Sequence, residues 1–197
     1  MDNDNIQVAV DAWLNDPISA EETYGHISQW DTSNVTNMYG LFLDSGEFNE
    51  DLSKWDVSNV KTMQYMFQHA FSFNSDLSQW DTSSVTNMGS MFAGACSFNS
   101  DLSKWNVSNV TNMGNYYREI NGMFAGASSF NADLSKWDVS NVWNMGFMFN
   151  DASSFNADLS QWDTSNVTNM EAMFTGAESF NSDISSWNTS NTSSTDI

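Results

Sequence analysis

Apolar positions along most of the chain recur with a period of 25 residues. Tryptophan marks this period within two runs: Trp30, Trp55, Trp80 and Trp105, and then Trp137, Trp162 and Trp187. Between the two runs the step is longer by seven residues, which stand between Met113 and Met123, two methionines that are three apart in other copies. A single copy cannot bury its eight or nine apolar positions, so the pattern predicts a solenoid of about seven stacked coils.

Two local patterns divide each copy. The first, Leu-Ser-x-Trp-Asp-(Val/Thr)-Ser, has the short apolar spacing and the Val/Thr content of a half-buried strand. The second, Met-x-x-Met-Phe-x-x-Ala, has the i, i+3, i+4, i+7 spacing of one helix face. Gly, Ser and Asn fill the connections. The sequence therefore predicts one short parallel strand and one short helix in each 25-residue coil.

The first 25 residues break the repeat and carry a helical apolar stripe: Ile6, Ala9, Val10, Trp13 and Leu14. Pro17 follows as a stop signal, and the apolar end of a solenoid needs a cover, so residues 1–25 are predicted to be a capping helix and lead-in. Residues 26–190 form the solenoid, with the insertion near 114–121 as two helical turns or a loop, and 191–197 form a polar tail. No second cap is evident, so we expect either that the array is truncated here or that another molecule covers the C-terminal end.

The formal net charge of −20 limits the kinds of partner that the protein can bind. Nucleic acid and anionic membrane surfaces recruit basic patches, so both are disfavoured. Acidic chains are often disordered, but those have few aromatic residues, whereas this chain has nine Trp and fourteen Phe. No apolar run is long enough to span a bilayer. The N-terminus lacks the basic region of a signal peptide.

The repeat WDVSNVTNM, followed by MF, a small Ala and FN-x-DLS, resembles the BspA-like leucine-rich repeats of bacterial surface proteins. The likeness covers about residues 5–190, and the lead-in to the array is similar too. The insertion, Trp143 in a Thr or Lys column and the missing C-terminal cap depart from the pattern. The resemblance implies a right-handed, leucine-rich-repeat-like solenoid that is displayed at a cell surface or outside the cell and binds a partner. It implies no catalytic residues.

Aspartates occupy two columns, one after Trp and one before Leu, and stacked coils would bring like charges together. Asp-x-Ser favours a turn in which the carboxylate accepts a backbone N–H. Alternatively, stacked carboxylates could bind Ca²⁺, an otherwise unexpected cofactor, through several oxygens; the candidates for such a metal site are Asp56, Asp81, Asp76 and Asp101. Asn106 and Asn188 stand in the first column, and the turn tolerates this exchange better than Ca²⁺ coordination would.

Catalysis finds little support in the sequence. His26 and His69 lie in different columns and different coils, and Cys96 has no partner histidine at a corresponding position. Neither a Gly-rich phosphate loop nor Cys/His metal spacing is present. Catalytic sites need singular constellations, whereas this chain consists mostly of copies. We therefore expect that the protein is not an enzyme.

Function is better sought where the copies differ. Trp143 replaces Thr or Lys and is expected to be exposed, and exposed Trp is a common binding anchor. One coil earlier, the insertion brings Tyr116, Tyr117 and Arg118 together. These four residues form the candidate partner-binding site, although a tolerated loop and a neutral substitution would look the same. The sequence thus favours a non-catalytic scaffold that binds a protein or glycan; the alternative is an acidic structural or Ca²⁺-binding protein.

Overall fold

The computed structural model describes residues 1–114 and 122–193. Its helices are α1 (Ile6–Asn15), α2 (Pro17–Tyr24) and a single 3-10 turn at Ile27–Gln29. None of the helices in these residues has the length and hydropathy needed to cross a membrane. The regular secondary structure therefore lies at the N-terminal end, and the repeats are built in another way.

The predicted apolar stripe becomes the buried side of α1, where Ile6, Ala9, Val10 and Trp13 are buried, whereas Leu14 remains 40% exposed. Pro17 does more than end this helix, because it occupies the first turn of α2, where its missing N–H has no cost. Asp16 caps α2 by accepting hydrogen bonds from the backbone N–H and hydroxyl of Ser19. The N-terminal segment is thus a pair of helices.

These helices and the residues before them occupy the position of a preceding coil. The Trp13 ring meets the rings of His26 and Trp30 edge-on, at centroid distances of 4.9 and 6.2 Å. Asn3 accepts hydrogen bonds from the backbone N–H groups of Thr36 and Asn37, at 2.9 and 3.1 Å. The apolar end of the first coil and its polar edge are therefore both covered.

Each coil is a succession of tight turns. In the second coil, Trp55 N–H donates to Leu52 O, Val60 to Val57, Met66 to Met63 and Ala70 to Phe67, each bond spanning three residues. The apolar side chain that begins a turn and the one that ends it both lie in the core. A β-turn has this i to i+3 closure, so the three-residue apolar spacing is the spacing of turn ends.

Within the described repeats the structure therefore differs from the expectation of a short strand and a short helix. The Met-x-x-Met-Phe-x-x-Ala segment is not helical because a residue with positive φ interrupts it, such as Tyr65 at 62° or Ser90 at 56°. The Leu-Ser-x-Trp segment, expected as a strand, is one of the turns. Pairing between coils is limited to isolated parallel bridges in the Val-Thr-Asn-Met segment, from Asn37–Thr62 to Asn144–Asn169.

Backbone hydrogen bonds join each coil to the next on both sides of these bridges. In the Thr column, Lys61 N–H donates to Thr36 O and the pattern continues to Ser193 and Thr168, at 2.8 to 3.0 Å. On the other side, Met38 N–H donates to Thr62 O at 3.0 Å. Phe42 and Asp44 continue the pattern with Met66 O and Gln68 O. The turns leave these N–H groups directed toward the neighbouring coil, where they find carbonyl acceptors.

Side chains reinforce the stack. Each Trp indole N–H of the second and later coils donates to the carbonyl of the Leu or Ile in the preceding coil at 2.9 to 3.1 Å, as in Trp80 to Leu52. The Asn before the Asp-Leu pair forms a second ladder, in which each Oδ1 accepts the next coil's Asn N–H at 2.8 to 2.9 Å. Both ladders therefore run from coil to coil along the stack.

The core between these ladders is a set of stacked aromatic columns. Phe42, Phe67 and Phe92 stack nearly parallel with centroids 5.3 and 5.6 Å apart. Within a coil, each of these rings also stacks on a second phenylalanine, such as Phe67 on Phe73 at 3.9 Å. In the last described coil, Phe174, Phe180 and Ile184 are only partly buried. The expectation that another molecule covers this end stays a prediction.

The left-handed residues give a direct test of the turn geometry. Ala172 has φ 50°, a conformation that costs non-glycine residues about 1–2 kcal/mol. We expect Ala172→Gly to stabilise the fold by about 0.5–1 kcal/mol, because relief of strain exceeds the entropy that glycine adds to the unfolded chain.

The matched control is Ala157→Gly, because Ala157 has the same intermediate exposure but no positive φ. Urea unfolding should show a loss of about 0.5–1 kcal/mol for this control. Equal destabilisation by both substitutions would contradict the turn geometry.

Candidate functional site

The regular polar columns are engaged in holding the turns. Every Asp that follows Trp, or precedes Leu or Ile, in the motif Asp-x-Ser accepts the N–H of the Ser two residues later, at 2.9 to 3.1 Å. Asn106 and Asn188 make the same bond with their amide oxygens, both at 3.1 Å. The predicted Asx turns are therefore present, and the exchange of Asp for Asn preserves them.

These hydrogen bonds also set the titration of the carboxylates. The Ser83 hydroxyl and backbone N–H lower the pKa of Asp81, and those of Ser165 lower the pKa of Asp163. Neighbouring aspartates act in the opposite direction, since the charge of Asp133 raises the pKa of Asp101. The net pKa of Asp101 is still lowered, so hydrogen bonding outweighs like-charge repulsion along the stack.

The alternative Ca²⁺ site at Asp56, Asp81, Asp76 and Asp101 gains no geometric support. In the described part of the chain, no three His, Cys, Asp or Glu side chains come together in a group that could hold a metal ion. One oxygen of each of these carboxylates is committed to a serine N–H. Ca²⁺ takes six to eight oxygen ligands, and a single column of turn-forming carboxylates does not converge on one point.

Both histidines are hydrogen-bonded to neighbouring side chains. His26 Nδ1 lies 2.9 Å from Ser28 Oγ, and His69 Nδ1 lies 2.7 Å from Asp44 Oδ1, so the two form separate pairs. Cys96 is exposed, and its thiol contacts the carbonyl of Gly94. Each buried polar side-chain atom in the described residues has a hydrogen-bond partner.

Of the four binding residues predicted from the sequence, the structure describes only Trp143. Tyr116, Tyr117 and Arg118 lie outside the described residues. Trp143 is half-buried, in contrast to the exposed position that was expected, and its backbone takes part in the Thr-column ladder by donating to Thr111 O. Its role as a contact residue stays a prediction.

The residues on either side of the insertion meet at one point of the stack. Met123 N–H donates to Met113 O at 2.8 Å, in place of the bond that joins Met66 to Met63 in an uninterrupted copy. Gly114 and Gly122 flank it, and a Cβ at Gly114 would lie 2.5 Å from Gly146 N. The close approach of the next coil requires glycine here. The insertion therefore adds seven residues without disturbing the register on either side.

A second set of variable residues, which sequence reasoning missed, forms an exposed cleft on the first two coils. We call it the aromatic cleft; Tyr39, Leu43, Tyr65 and Gln68 line its volume of about 230 Å³. Tyr39 is 52% exposed and Leu43 41% exposed. The rings of Tyr39 and Tyr65 meet edge to face, with centroids 5.2 Å apart. Two perpendicular aromatic surfaces and an aliphatic one thus border a single opening.

Tyr65 shares its backbone conformation with its counterparts in other coils, but most of them have a smaller side chain. It occupies the left-handed region at φ 62°, where other coils place Ser90, Ala172 or, at the corresponding position of the first coil, Gly40. A non-glycine residue there costs about 1–3 kcal/mol and persists where something compensates. The turn itself does not require a tyrosine, because Ser90 and Ala172 adopt the same conformation in other coils. Phe147, at φ 59°, is the second aromatic residue in this position and lies one coil after the insertion.

An acidic depression adjoins the aromatic cleft. Leu14, Ser45, Gly46 and Phe48 line it together with Asp44 and Glu47, around a volume of about 340 Å³. Glu47 and Glu50 also border a groove of about 220 Å³ between Trp13, Pro17 and Phe48. Leu43 lines the aromatic cleft and Asp44 the depression, and consecutive Cα atoms are about 3.8 Å apart. The two surfaces are therefore neighbours.

The sequence did hold a signal for this surface. Tyr39 stands where three later copies have Gly89, Gly114 and Gly146. Two further copies have Gln64 and Glu171 there, so the position varies between coils, as the column of Trp143 does. Without the turn geometry, however, Met-Tyr-Gly-Leu-Phe read as a helical stripe, and Tyr39 had no reason to face solvent.

The lowered pKa values predict acid sensitivity. A carboxylate whose folded pKa is lowered stabilises the fold above its unfolded pKa, near 3.8 for Asp, and this stabilisation is lost as pH falls through the folded value. We expect the Tm to change little between pH 7 and 5 and to drop below about pH 4.

Asp163→Asn keeps the turn, as Asn106 does, and removes one titrating group. This variant should lose less stability than the wild type between pH 4 and 2. A wild-type Tm that rises on acidification would show that relief of the net negative charge dominates instead.

Calcium provides a second measurement on the same columns. We expect 5 mM CaCl₂ to leave the Tm within about 1 °C of its value in a MgCl₂ control at equal ionic strength, because the carboxylates do not converge. A specific increase with Ca²⁺ that Asp76→Asn/Asp101→Asn abolishes would reinstate the cation-binding alternative.

Comparison with known proteins agrees with the repeat organisation. Curated proteins provide no match to this chain. Two overlapping segments, residues 17–122 and 115–196, match the family described as "Mycoplasma protein of unknown function, DUF285". Together the matches cover nearly all of the coils and meet at the insertion. The chain therefore belongs to the DUF285 family.

Proposed function

We propose that the protein is a non-catalytic scaffold that binds another protein through residues in which its coils differ. The observation that carries this proposal is the division of labour among the columns. Regular Asp, Asn and Trp positions form turn and stacking bonds, whereas the exposed Tyr39 and the half-buried Tyr65 lie together in the aromatic cleft. Exposed aromatic clusters are enriched at protein interfaces.

The finer identity follows from the resemblance of the repeat. We propose that the stack is a right-handed solenoid of the BspA-like leucine-rich-repeat type and that it is displayed at a cell surface. The coil-to-coil hydrogen bonds and the membership in DUF285 support a stacked repeat protein. Surface display rests on the resemblance. A protein partner is favoured over a glycan because the aromatic cleft includes the aliphatic side chain of Leu43 and adjoins a depression bordered by Phe48.

Site-specific photocrosslinking tests this proposal even while the identity of the partner is open. p-Benzoylphenylalanine replaces Tyr39, Trp143 or, as a control, Gln79, an exposed residue in a regular column. Each protein is irradiated in the presence of extract and surface fractions from the source cells. We expect one protein adduct from position 39 or position 143 and none from position 79.

The adduct is then tested against two double variants. If the partner binds at the aromatic cleft, Tyr39→Ala/Tyr65→Ala should no longer capture it. If the partner binds beside the insertion, Trp143→Ala/Tyr117→Ala should no longer capture it. Circular dichroism confirms that both variants remain folded. If adducts form equally at all three positions, or if both variants capture the partner fully, the proposal is wrong.

A further inference from the structure

Charge is distributed unevenly over the columns. The four lysines lie in two regular columns: Lys54, Lys104 and Lys136 in Leu-Ser-x-Trp, and Lys61 in the Thr column. Lys54 and Lys104 lie close enough to the Asp column for their charges to lower the pKa values of Asp51 and Asp101. Lys54 and Lys104 therefore act on the carboxylates of the ladder, whereas Lys61 lies four residues before Tyr65 of the aromatic cleft.

The segments that carry the cleft have the opposite character. Residues 38–50 contain Asp44, Glu47 and Glu50 and no Lys or Arg. Residues 63–73 contain one ionisable side chain of potential positive charge, His69, which pairs with Asp44. Glu47 and Glu50 are on the edge of the groove beside Phe48, and no ion pair joins either of them to a cation in the described residues. An acidic border thus adjoins an aromatic opening.

We propose that this combined surface, the aromatic cleft with its acidic depression, binds a basic peptide segment whose arginine or lysine side chains alternate with apolar ones. The proposal rests on the protein-binding function above and names the chemistry of the partner. Aromatic faces attract a guanidinium or ammonium group that lies over them. Tyr39 and Tyr65 offer two such faces at 84° to each other.

The neighbouring groups complete the match. A cation in the cleft has Asp44 one residue from Leu43, and the carboxylates of Glu47 and Glu50 beyond it, so its charge is opposed by a local negative field. An apolar side chain of the same peptide would lie over Leu14 and Phe48, which line the depression. An extended peptide places alternate side chains about 7 Å apart on one face, and Leu43 of the cleft directly precedes Asp44 of the depression.

Strain at the cleft agrees with this role. Tyr65 at φ 62° and His69 at φ 56° are both bulky residues in left-handed conformations within one coil. The next coil has Ser90 and Gly94 at these positions and makes the corresponding backbone bonds. The second coil therefore carries side chains that the turns do not need, and they lie where the cleft and its border meet.

The probe for this proposal is a fluorescein-labelled hexapeptide of alternating arginine and leucine, with the N-terminus blocked by the label and the C-terminus amidated. Fluorescence anisotropy at 150 mM NaCl measures its affinity for the full chain. A peptide with glutamate in place of arginine tests whether binding depends on positive charge. Unlabelled maltohexaose, added as a competitor, tests whether the same surface binds a glycan. We expect binding of the arginine peptide alone, with no competition by the sugar.

The variants separate a site from diffuse attraction to a chain of charge −20. Tyr39→Ala/Tyr65→Ala leaves the charge unchanged and should weaken binding about tenfold. Glu47→Gln/Glu50→Gln should weaken it more than Asp138→Asn/Asp163→Asn, which removes the same charge from turns that tolerate Asn. Equal effects of the two acid pairs, or full binding by the tyrosine variant, would overturn the proposal.

A measurement on the unmodified chain guards against misfolded variants. Addition of the arginine peptide should shift the backbone amide NMR signals of residues 39–50 and 65–71 more than those of the regular Asp columns. Shifts spread evenly along the stack, or binding of maltohexaose at the cleft, would overturn the proposal. The protein-binding function would still stand if the crosslinked partner needed Tyr39 and Tyr65 but offered no basic segment.

Discussion

The structure depends on one requirement: each coil must provide backbone carbonyl acceptors for the N–H groups of its neighbour. Turns of three-residue closure leave alternate N–H groups pointing along the stack, and those groups are stable only if the next coil places a carbonyl opposite. Phe67 and His69, for instance, donate to Met91 O and Ala93 O. Because these bonds fix the register between coils, equivalent residues of successive coils lie next to each other. The aromatic stacks and the Trp and Asn ladders all depend on this register.

The same requirement explains the strain in the coils. A residue with positive φ stands just before the residue whose N–H closes the local turn, and its own N–H donates to the next coil, as Tyr65 does to Gly89 O. The left-handed positions are therefore part of the stacking mechanism. Glycine fills them at no conformational cost at Gly94 and Gly126, whereas Tyr65 and Phe147 do so against the preference of L-amino acids. Tyr65 adds to this conformation a large side chain that the turn does not need, and this side chain borders the aromatic cleft.

The acidic side chains of this molecule have two separate roles. In the regular columns, carboxylates cap turns, and serine hydrogen bonds stabilise their charged form despite the neighbouring aspartates. Around the aromatic cleft, Glu47 and Glu50 border an apolar groove instead of closing turns. Net charge alone could not separate these roles, because it counts both kinds of carboxylate equally. Position within the coil separates them.

The sequence by itself determined the period, the inward columns, the helical cover at the N-terminus and the Asx turns, because each follows from spacing or from short-range hydrogen bonding. It did not determine the elements within a coil. An apolar residue at every third position suits a helix and a chain of β-turns equally well, and only contact with the next coil favours the turns. Tertiary structure also decided that Trp143 is half-buried and that Tyr39, Leu43 and Tyr65 share one opening. These outcomes depend on residues 25 positions apart in sequence, and stacking alone brings such residues together.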